Sequence, residues 1–400
     1  MINTQRSNFD ALIIGGGLFG CHAALFLASK GQRVALVEQE ASLIQRASIV
    51  NQARLHAGYH YPRSIATARA SDSYIQRFSH EFASCINDKF VHYYAIARRG
   101  SLTDAQQFKH FCDYLNIACD PVNDHAAFNY DQLEAVFACE EYSFDPLLLG
   151  EVYRNRVADT ENIKVFTRSF IKQVFSAKDG LSQVPNSAIS SRTMYGLCLQ
   201  IPSGEIHLET PLVVNATYAS INSVNQLFGF PGIPIMHEIA EMAFVQPHES
   251  FSTSALTIMD GPFCSLMPYG YTGLHSLSSV AYTHQRVSYE QAPTFACQFL
   301  RKDCSPAATA DCSNCIHQPR SNFAKMEAQL HRYLNSSVTL KYQHSRFTIK
   351  SKLQANYIDD GRPTAVRMLS EQPGFFVVFA GKVNNVYALE EPLREWLERE

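Results

Sequence analysis

Residues 10–38 of the chain read DALIIGGGLFGCHAALFLASKGQRVALVE. The apolar run at 10–14 predicts a strand, the helical spacing around Ala23 and Leu27 predicts a helix, and the apolar run at 33–37 predicts a second strand. Strand, glycine turn, helix and strand in this order are typical of a βαβ unit. The unit therefore predicts an α/β fold that begins with a parallel sheet.

The turn of this unit matches the pattern G-x-G-x-x-G at residues 15–20. The first glycine permits a tight turn, the second allows the backbone to approach a pyrophosphate, and the third allows the helix to pack close to the strand. The N-terminus of the following helix presents N–H groups and the positive end of its dipole to phosphates. The predicted phosphate-binding residues are Gly15, Gly17, Leu18, Phe19 and Gly20.

An acid completes the pattern, because Glu38 follows Gly20 by 18 residues and ends the second predicted strand. A carboxylate in this place accepts hydrogen bonds from ribose hydroxyls and disfavours a 2′-phosphate. The pattern thus predicts a dinucleotide other than NADP, and by itself leaves both FAD and NAD open.

The remainder of the chain alternates between two patterns of apolar residues. Apolar runs typical of parallel strands recur at 212–216 and 375–380, whereas residues 236–284 show short alternating runs broken by turns. We predict a discontinuous, Rossmann-type dinucleotide-binding domain at 1–85, 141–225 and 340–400. An antiparallel-sheet (α+β) substrate domain would interrupt it at 86–140 and 226–339, with a Cys-rich excursion at about 300–322.

Composition limits the possible functions. With 400 residues and 46% hydrophobic residues, the chain is long enough for a substantial buried core. A formal net charge of -3 gives no electrostatic reason to expect nucleic acid as a partner. Because we find no export signal and no apolar run long enough to span a bilayer, we expect no transmembrane segment and a cytoplasmic location. Eleven cysteines, an odd number, argue against a disulfide framework.

Residues 48–61 read SIVNQARLHAGYHY. This segment resembles the S/T-x-x-N-x-x-x-φ-H-A/S-G-x-x-Y segment, φ being apolar, of the D-amino-acid-oxidase-like FAD oxidoreductases. That family includes glycine oxidase, sarcosine oxidase and the L-2-hydroxyglutarate dehydrogenases, and the last are the most similar over 51–61. The resemblance implies that the cofactor is FAD. It also implies that Ser48 and Asn51 bind the pyrophosphate or ribityl region and that His56 lies near the isoalloxazine ring.

Two shorter segments support the resemblance. Residues 213–217, VVNAT, are similar to the family's middle strand, which returns under the cofactor and places Ala216 there. Residues 361–364, GRPT, resemble a turn whose arginine, here Arg362, binds the substrate carboxylate in amino-acid-oxidising members. The family's C-terminal glycine-rich flavin loop is represented only by Gly381 and the residues that follow it.

These residues predict an FAD-dependent oxidase or dehydrogenase for a small amino acid, amine or 2-hydroxy acid. Such an enzyme oxidises the C–H bond next to the amine or hydroxyl by hydride transfer to flavin N5. We expect His56 to take the substrate proton, because imidazole titrates near neutral pH. Arg362 and Arg54 are candidates for binding the carboxylate, and Lys382 is a candidate for stabilising the reduced flavin. Further candidates, for lining the substrate pocket, are Tyr61 and Tyr269.

Three questions stay open at this point: the class of protein, the re-oxidant of the flavin and the role of the Cys-rich excursion. The chain could be an NAD-dependent dehydrogenase, or a flavoprotein with a structural, partner-binding role. Either oxygen or a quinone or other electron carrier could re-oxidise the flavin. Within the Cys-rich excursion, Cys304, Cys312, Cys315 and His317 offer four zinc-type ligands, although reduced thiols or a redox-sensitive pair explain the same residues.

Overall fold

The computed structural model describes residues 6–65, 68–69, 74–175, 194–354, 364–379 and 381–399. Within these residues the strands are β1 (Arg6–Asn8), β2 (Ala11–Ile14), β3 (Val34–Val37), β4 (Arg54–Leu55), β5 (Ile86–Asn87), β6 (Val91–Ala97), β7 (Cys119–Pro121), β8 (Leu133–Cys139), β9 (Tyr142–Phe144), β10 (Ile163–Phe166), β11 (Phe170–Phe175), β12 (Tyr195–Ile201), β13 (Gly204–Thr210), β14 (Leu212–Asn215), β15 (Ile235–Gln246), β16 (Ser254–Met259), β17 (Cys264–Pro268), β18 (His275–Ser279), β19 (His284–Ser288), β20 (Lys341–Leu353), β21 (Ala365–Ser370) and β22 (Gly374–Phe379). The α-helices of the same residues are α1 (Leu18–Ser29), α2 (Ile75–Glu81), α3 (Ala105–Leu115), α4 (Pro146–Ala158), α5 (Ile221–Leu227), α6 (Val280–Thr283), α7 (Phe323–Leu330) and α8 (Glu390–Glu398). None of these helices is long and apolar enough to cross a membrane.

The chain divides into two compact units. The first contains Met1–Ser48, Gly150–Pro234 and Pro363–Glu400, and the second contains Ile49–Leu149 and Ile235–Arg362. These boundaries differ from the predicted ones, because residues 49–85, 141–149 and 340–362 cluster with the second unit and residues 226–234 with the first. The physical reason is strand pairing: β4 and β5 both pair with β9, and β20 pairs with β15 along nearly its whole length.

The first unit is built on a six-stranded sheet in the order β10-β3-β2-β14-β22-β21. Its strands run parallel except for the edge strand β21. Every residue of β2, β3, β14 and β22 is buried, as expected where both faces of a parallel sheet are covered. Helix α1 packs against β2 and β3 and completes the predicted βαβ unit. A second sheet, in the order β1-β13-β12-β11, belongs to the same unit.

The second unit contains a mainly antiparallel, nine-stranded sheet. Its strands follow the order β19-β15-β18-β17-β16-β6-β8-β7, and β20 pairs with β15 off this path. Strand β16 is parallel to β6, whereas its other neighbour β17 is antiparallel. The α/β class with a Rossmann-type sheet and an interrupting antiparallel-sheet unit is therefore confirmed.

A buried carboxylate fixes the end of the Cys-rich excursion. Residues 301–322 contain no helix or strand, as predicted for a loop. Glu241 on β15 is 1% exposed, and its Oε2 accepts hydrogen bonds from the Asn322 N–H at 2.8 Å and from Gln285 at 2.5 Å. Its Oε1 accepts from the hydroxyls of Ser321 and Ser345, each at 2.5 Å. The loop thus returns to the sheet through a fully hydrogen-bonded carboxylate.

Asn215 organises the chain after β14 in the first unit. Its side chain is buried, and its Nδ2 donates to the Ile221 carbonyl at 2.9 Å and to Asn225 Oδ1 at 2.8 Å. Its Oδ1 accepts from the backbone N–H of Thr217 at 3.2 Å and from the Thr217 hydroxyl at 2.7 Å. One amide therefore joins the strand end to α5.

We expect Asn215→Ala to lower the free energy of unfolding by about 3 kcal/mol, because several buried groups lose their partner together. Chemical unfolding followed by circular dichroism measures this loss. Gln226→Ala, at an exposed position of α5, is the control and should change stability by no more than about 0.5 kcal/mol. Equal effects of the two substitutions would contradict this role of Asn215.

Candidate functional site

The glycine turn of the first unit brings backbone atoms unusually close together. Gly15 has a φ of +102°, and a Cβ at this residue would lie 2.7 Å from the Ala216 carbonyl oxygen. A Cβ at Gly20 would lie 1.8 Å from the Gly15 carbonyl oxygen. Both residues must therefore be glycine for α1 and β14 to approach the turn as they do.

Gly17 differs from its neighbours because it faces open space. Among the described residues, the only atom within 4 Å of a Cβ built at Gly17 is Ser48 Oγ, at 3.3 Å. No side chain caps the helix at Gly17, and the first turn of α1 contains no acid. The Leu18 N–H makes a long hydrogen bond, 3.3 Å, to Ser48 Oγ. The open cradle, the uncapped helix end and this hydroxyl together fit a pyrophosphate.

Glu38 has a second role that the sequence did not reveal. Its Oε2 accepts a hydrogen bond from the Gly16 N–H at 2.7 Å, and its Oε1 accepts from the Glu40 N–H at 2.7 Å. Burial raises the pKa of Glu38, and these two N–H donors act in the opposite direction. Each carboxylate oxygen accepts more than one hydrogen bond, so a ribose hydroxyl can still bind. The acid therefore also braces the turn.

The other predicted cofactor residues have defined places. Ala216 donates its N–H to the Ile14 carbonyl at 2.9 Å, directly beside the glycine turn. Gly381 donates its N–H to Thr364 Oγ1 at 3.0 Å, and the adjacent Lys382 is buried. Asn51 belongs to the second unit, where its Oδ1 accepts from the Ala53 N–H at 2.7 Å.

A buried polar cluster lies in the second unit around Arg54. Nη1 of this residue donates to the Tyr94 hydroxyl at 2.8 Å and to Glu141 Oε2 at 3.2 Å. Nη2 donates to Thr257 Oγ1 at 2.8 Å and to Ser265 Oγ at 3.1 Å. Burial alone would lower the pKa of Arg54, but Tyr94 and Glu141 raise it, so the guanidinium stays charged. Glu141 already neutralises Arg54, so a substrate carboxylate, as predicted for this residue, would have to compete with a buried ion pair.

Glu141 is the residue of this cluster that sequence reasoning missed. It is 1% exposed, and its Oε2 accepts from the Tyr94 hydroxyl at 2.5 Å in addition to Arg54. Its Oε1 accepts from the Ala57 N–H at 3.1 Å and lies 4.0 Å from Nδ1 of His56. The His56 side chain is 22% exposed. A fully buried carboxylate thus stands behind a partly exposed imidazole.

The neutral members of the cluster do not change its charge. His92 contacts Thr257 Oγ1 through Nε2 at 2.9 Å. Burial, and then Arg54 and His60, lower the pKa of His92 well below its usual value, so it is neutral near pH 7. Burial raises the pKa of Tyr94 well above its usual value. Arg54 and Glu141 are therefore the charged pair of the cluster.

The two tyrosines predicted to line the pocket lie in different surroundings. The buried Tyr61 ring lies 5.8 Å from the ring of His56, beside the polar cluster. The Tyr269 ring packs edge-on against Phe244 with centroids 4.7 Å apart, and its hydroxyl donates to the Ile49 carbonyl. Interior packing thus accounts for Tyr269, whereas Tyr61 lies beside His56. Arg362 lies outside the described residues.

The cysteines of the excursion are not arranged as a metal centre. Cys304 Sγ accepts from the Ala310 N–H, and Cys315 Sγ accepts from the His317 N–H, each at 3.3 Å. No group of three or more His, Cys, Asp or Glu side chains among the described residues could hold a metal ion. The alternative of reduced thiols agrees with the structure, in which all eleven cysteines lie among the described residues and none forms a disulfide.

Two alanine substitutions in the glycine turn should separate folding from cofactor binding. Gly20→Ala places a methyl group against the Gly15 carbonyl, so we expect it to lower the thermal midpoint of the protein sharply. Gly17 has an ordinary φ of -75°, and a methyl group added there would contact only Ser48 Oγ among the described residues. The Gly17→Ala protein should therefore fold normally. Because its methyl group would fill the cradle, we expect a loss of at least about tenfold in FAD affinity.

Circular dichroism of the FAD-free proteins and titration with FAD measure these two effects. A Gly17→Ala protein that binds FAD as tightly as the parent would contradict the assignment of the cradle.

Comparison with known proteins agrees with this geometry. The chain is 25% identical over 393 residues to the FAD-dependent monooxygenase FPY4 of Fusarium mangiferae, covering 97% of this chain and 91% of that protein. Its fold is similar to that of L-amino acid deaminase from Proteus vulgaris, with a TM-score of 0.67, 12% identity and coverage of 100% and 96% of the two chains. Glycine oxidase from Geobacillus kaustophilus gives a TM-score of 0.64, 14% identity and coverage of 98% and 95%.

Residues 10–286 match the family described as "DAO: FAD dependent oxidoreductase". This match confirms the predicted family and FAD as the cofactor. It does not support the alternative of an NAD-dependent dehydrogenase. The family is one of enzymes that act on small molecules, which also sets aside a purely structural role. The chain belongs to the DAO family of FAD-dependent oxidoreductases.

Proposed function

We propose that this enzyme oxidises the C–H bond next to an amine or hydroxyl group of a small, carboxylate-bearing substrate. FAD, when bound, accepts the hydride that leaves this carbon. The observation that carries the proposal is the pairing of a partly exposed imidazole, His56, with the buried carboxylate of Glu141 at 4.0 Å. A histidine held in this way is suited to remove the proton from the substrate hydroxyl or ammonium group as oxidation proceeds.

We assign the cofactor contacts from the geometry of the first unit. The backbone N–H groups of Gly17, Leu18 and Phe19 and the Ser48 hydroxyl would hold the pyrophosphate, and Glu38 would accept from the ribose. The open space at Gly17 and the absence of a capping side chain support this assignment. The remaining contacts, proposed on the family resemblance, come from Gly15, Gly20, Asn51, Ala216 and Gly381.

The proton acceptor would be the Nε2 atom of His56. Its Nδ1 faces Glu141, so the Glu141 carboxylate stabilises the imidazolium that forms when the substrate proton arrives. Tyr61, 5.8 Å from His56 between ring centroids, would form part of the substrate pocket. Lys382, which is buried, would stabilise negative charge on the reduced cofactor.

Two observations support the proposal that the substrate carries a carboxylate. Two proteins with the same fold are named for reactions of amino acids, the glycine oxidase and the L-amino acid deaminase. The GRPT segment at 361–364 resembles a carboxylate-binding turn, so Arg362 is our candidate for this contact. Arg54 is assigned instead to the buried ion pair with Glu141.

A second candidate function is monooxygenation. A relative that spans 97% of this chain is named an FAD-dependent monooxygenase. A monooxygenase transfers one oxygen atom of O₂ to its product and requires a separate electron donor to reduce the flavin. The source of the electrons and the fate of the oxygen therefore distinguish the two candidates.

Anaerobic mixing of the FAD-loaded enzyme with a panel of amino acids, secondary amines and 2-hydroxy acids tests the proposal. We expect at least one of these compounds alone to bleach the visible absorbance of the oxidised flavin. Bleaching only by NADH or NADPH, followed by transfer of ¹⁸O from O₂ to product, would contradict it and support monooxygenation.

His56→Gln should slow flavin reduction by the active substrate roughly 100-fold or more, because the proton acceptor is lost. Stopped-flow absorbance measures this rate. FAD content serves as the control and should equal that of the parent enzyme, since the first unit is unchanged. An unaltered reduction rate would show that His56 is not the base.

A further inference from the structure

We propose that Glu141 is a positioning residue that orients the His56 imidazole and stabilises its protonated form. This inference rests on the proposed function for the catalytic consequence, although the interaction itself concerns two side chains of this chain alone. Glu141 follows β8 by two residues and lies 85 positions along the sequence from His56. No local pattern connects the two residues, and only the fold brings them together.

The two oxygens of Glu141 have different tasks. Oε2 is directed to the interior, where the Tyr94 hydroxyl donates to it at 2.5 Å and Arg54 Nη1 at 3.2 Å. Oε1 is directed to the segment that carries His56, where the Ala57 N–H donates to it at 3.1 Å. The same oxygen therefore fixes the backbone next to His56 and faces the His56 ring at 4.0 Å.

The cluster keeps Glu141 ionised although it is buried. A buried carboxylate loses its hydrating water and remains charged only when hydrogen-bond donors or cations take the place of that water. Here three donors do so, from Arg54, Tyr94 and Ala57. Arg54 is itself held from its other side by Thr257 and Ser265, so the cation cannot turn away. The result is a fixed negative charge behind the imidazole.

The charged and titratable groups that face His56 act together on its protonation. Glu141 is the anion beside Nδ1, and the rings of His60 and Tyr61 each lie 5.8 Å from the His56 ring. Arg54 lies behind them, where it contacts His60 Nδ1 at 3.3 Å and is paired with Glu141. Removal of the Glu141 charge should therefore disfavour the imidazolium form of His56.

Glu141→Gln is the principal test, because it keeps the shape of the side chain and removes its charge. A carboxylate that favours the imidazolium raises the pH at which His56 loses its proton, so the substitution should lower that pH by about one unit. Two measurements report it: the NMR titration midpoint of the His56 ring in the FAD-free protein, assigned with His56→Gln, and the acidic limb of the pH profile of kcat/KM. We expect both to move to lower pH, with a fall in kcat of about tenfold or more.

Two further variants make the result specific. Glu141→Asp keeps the charge that Arg54 needs but withdraws it from His56, so the titration midpoint should lie between those of the parent and Glu141→Gln. Thr257→Val removes a contact of Arg54 and leaves Glu141 in place. It should lower the thermal midpoint of unfolding while the His56 titration midpoint stays where it is.

Each outcome of these experiments either supports or overturns the proposed role of Glu141. An unchanged His56 midpoint and an unchanged pH profile in a folded Glu141→Gln protein would show that Glu141 serves Arg54 alone. If Glu141→Gln does not fold, an unchanged midpoint and kcat in Glu141→Asp would overturn the inference equally well. A shifted midpoint in a protein whose flavin no panel compound reduces would instead support the interaction and reject the proposed function.

Discussion

The contact between Gly20 and the Gly15 carbonyl is the constraint on which the first unit depends. A side chain at Gly20 would overlap this oxygen, so the start of α1 can lie against the end of β2 only when residue 20 is glycine. Gly15 must be glycine for a separate reason, its φ of +102° and its closeness to the Ala216 carbonyl. At the start of α1, no side chain caps the helix at Gly17, and the Leu18 N–H makes a long hydrogen bond, 3.3 Å, to Ser48 Oγ. In the same turn, the Gly16 N–H donates a hydrogen bond to Glu38 Oε2. The proposed phosphate site and the acid proposed to bind the ribose thus both belong to this glycine turn.

The second unit depends on a different kind of constraint, a buried ion pair. Arg54 and Glu141 are both almost fully buried, and burial of such a pair carries a desolvation cost that hydrogen bonds to both side chains offset. Tyr94, Thr257 and Ser265 supply the missing partners on both sides. A charge held at this cost is difficult to explain by stability alone, because an apolar cluster would serve as well. Its position beside His56 agrees with our proposal that the Glu141 charge stabilises the protonated imidazole.

Sequence reasoning succeeded where the signal was local. The βαβ unit, the FAD cofactor and the loop character of 301–322 follow from residues that are neighbours in the chain. It did not reveal contacts between residues that are distant in the sequence. Arg54 was predicted to bind the substrate because Tyr94, Glu141, Thr257 and Ser265, which bind its guanidinium, lie 40 to 211 residues away. The domain boundaries differed for the same reason, since they depend on the pairing of β20 with β15. Glu141 offered a weak signal as an acid between two apolar strands.

Hydrogen–deuterium exchange with and without FAD tests most directly whether the glycine turn is the cofactor site. The account predicts slower exchange at the amides of residues 15–20 and at Ser48 when FAD is bound, because the uncapped N–H groups acquire phosphate partners. Exchange in β11–β13, the second sheet of the same unit, should be unaffected. Equal exchange of the turn in both states, with protection elsewhere, would contradict the account.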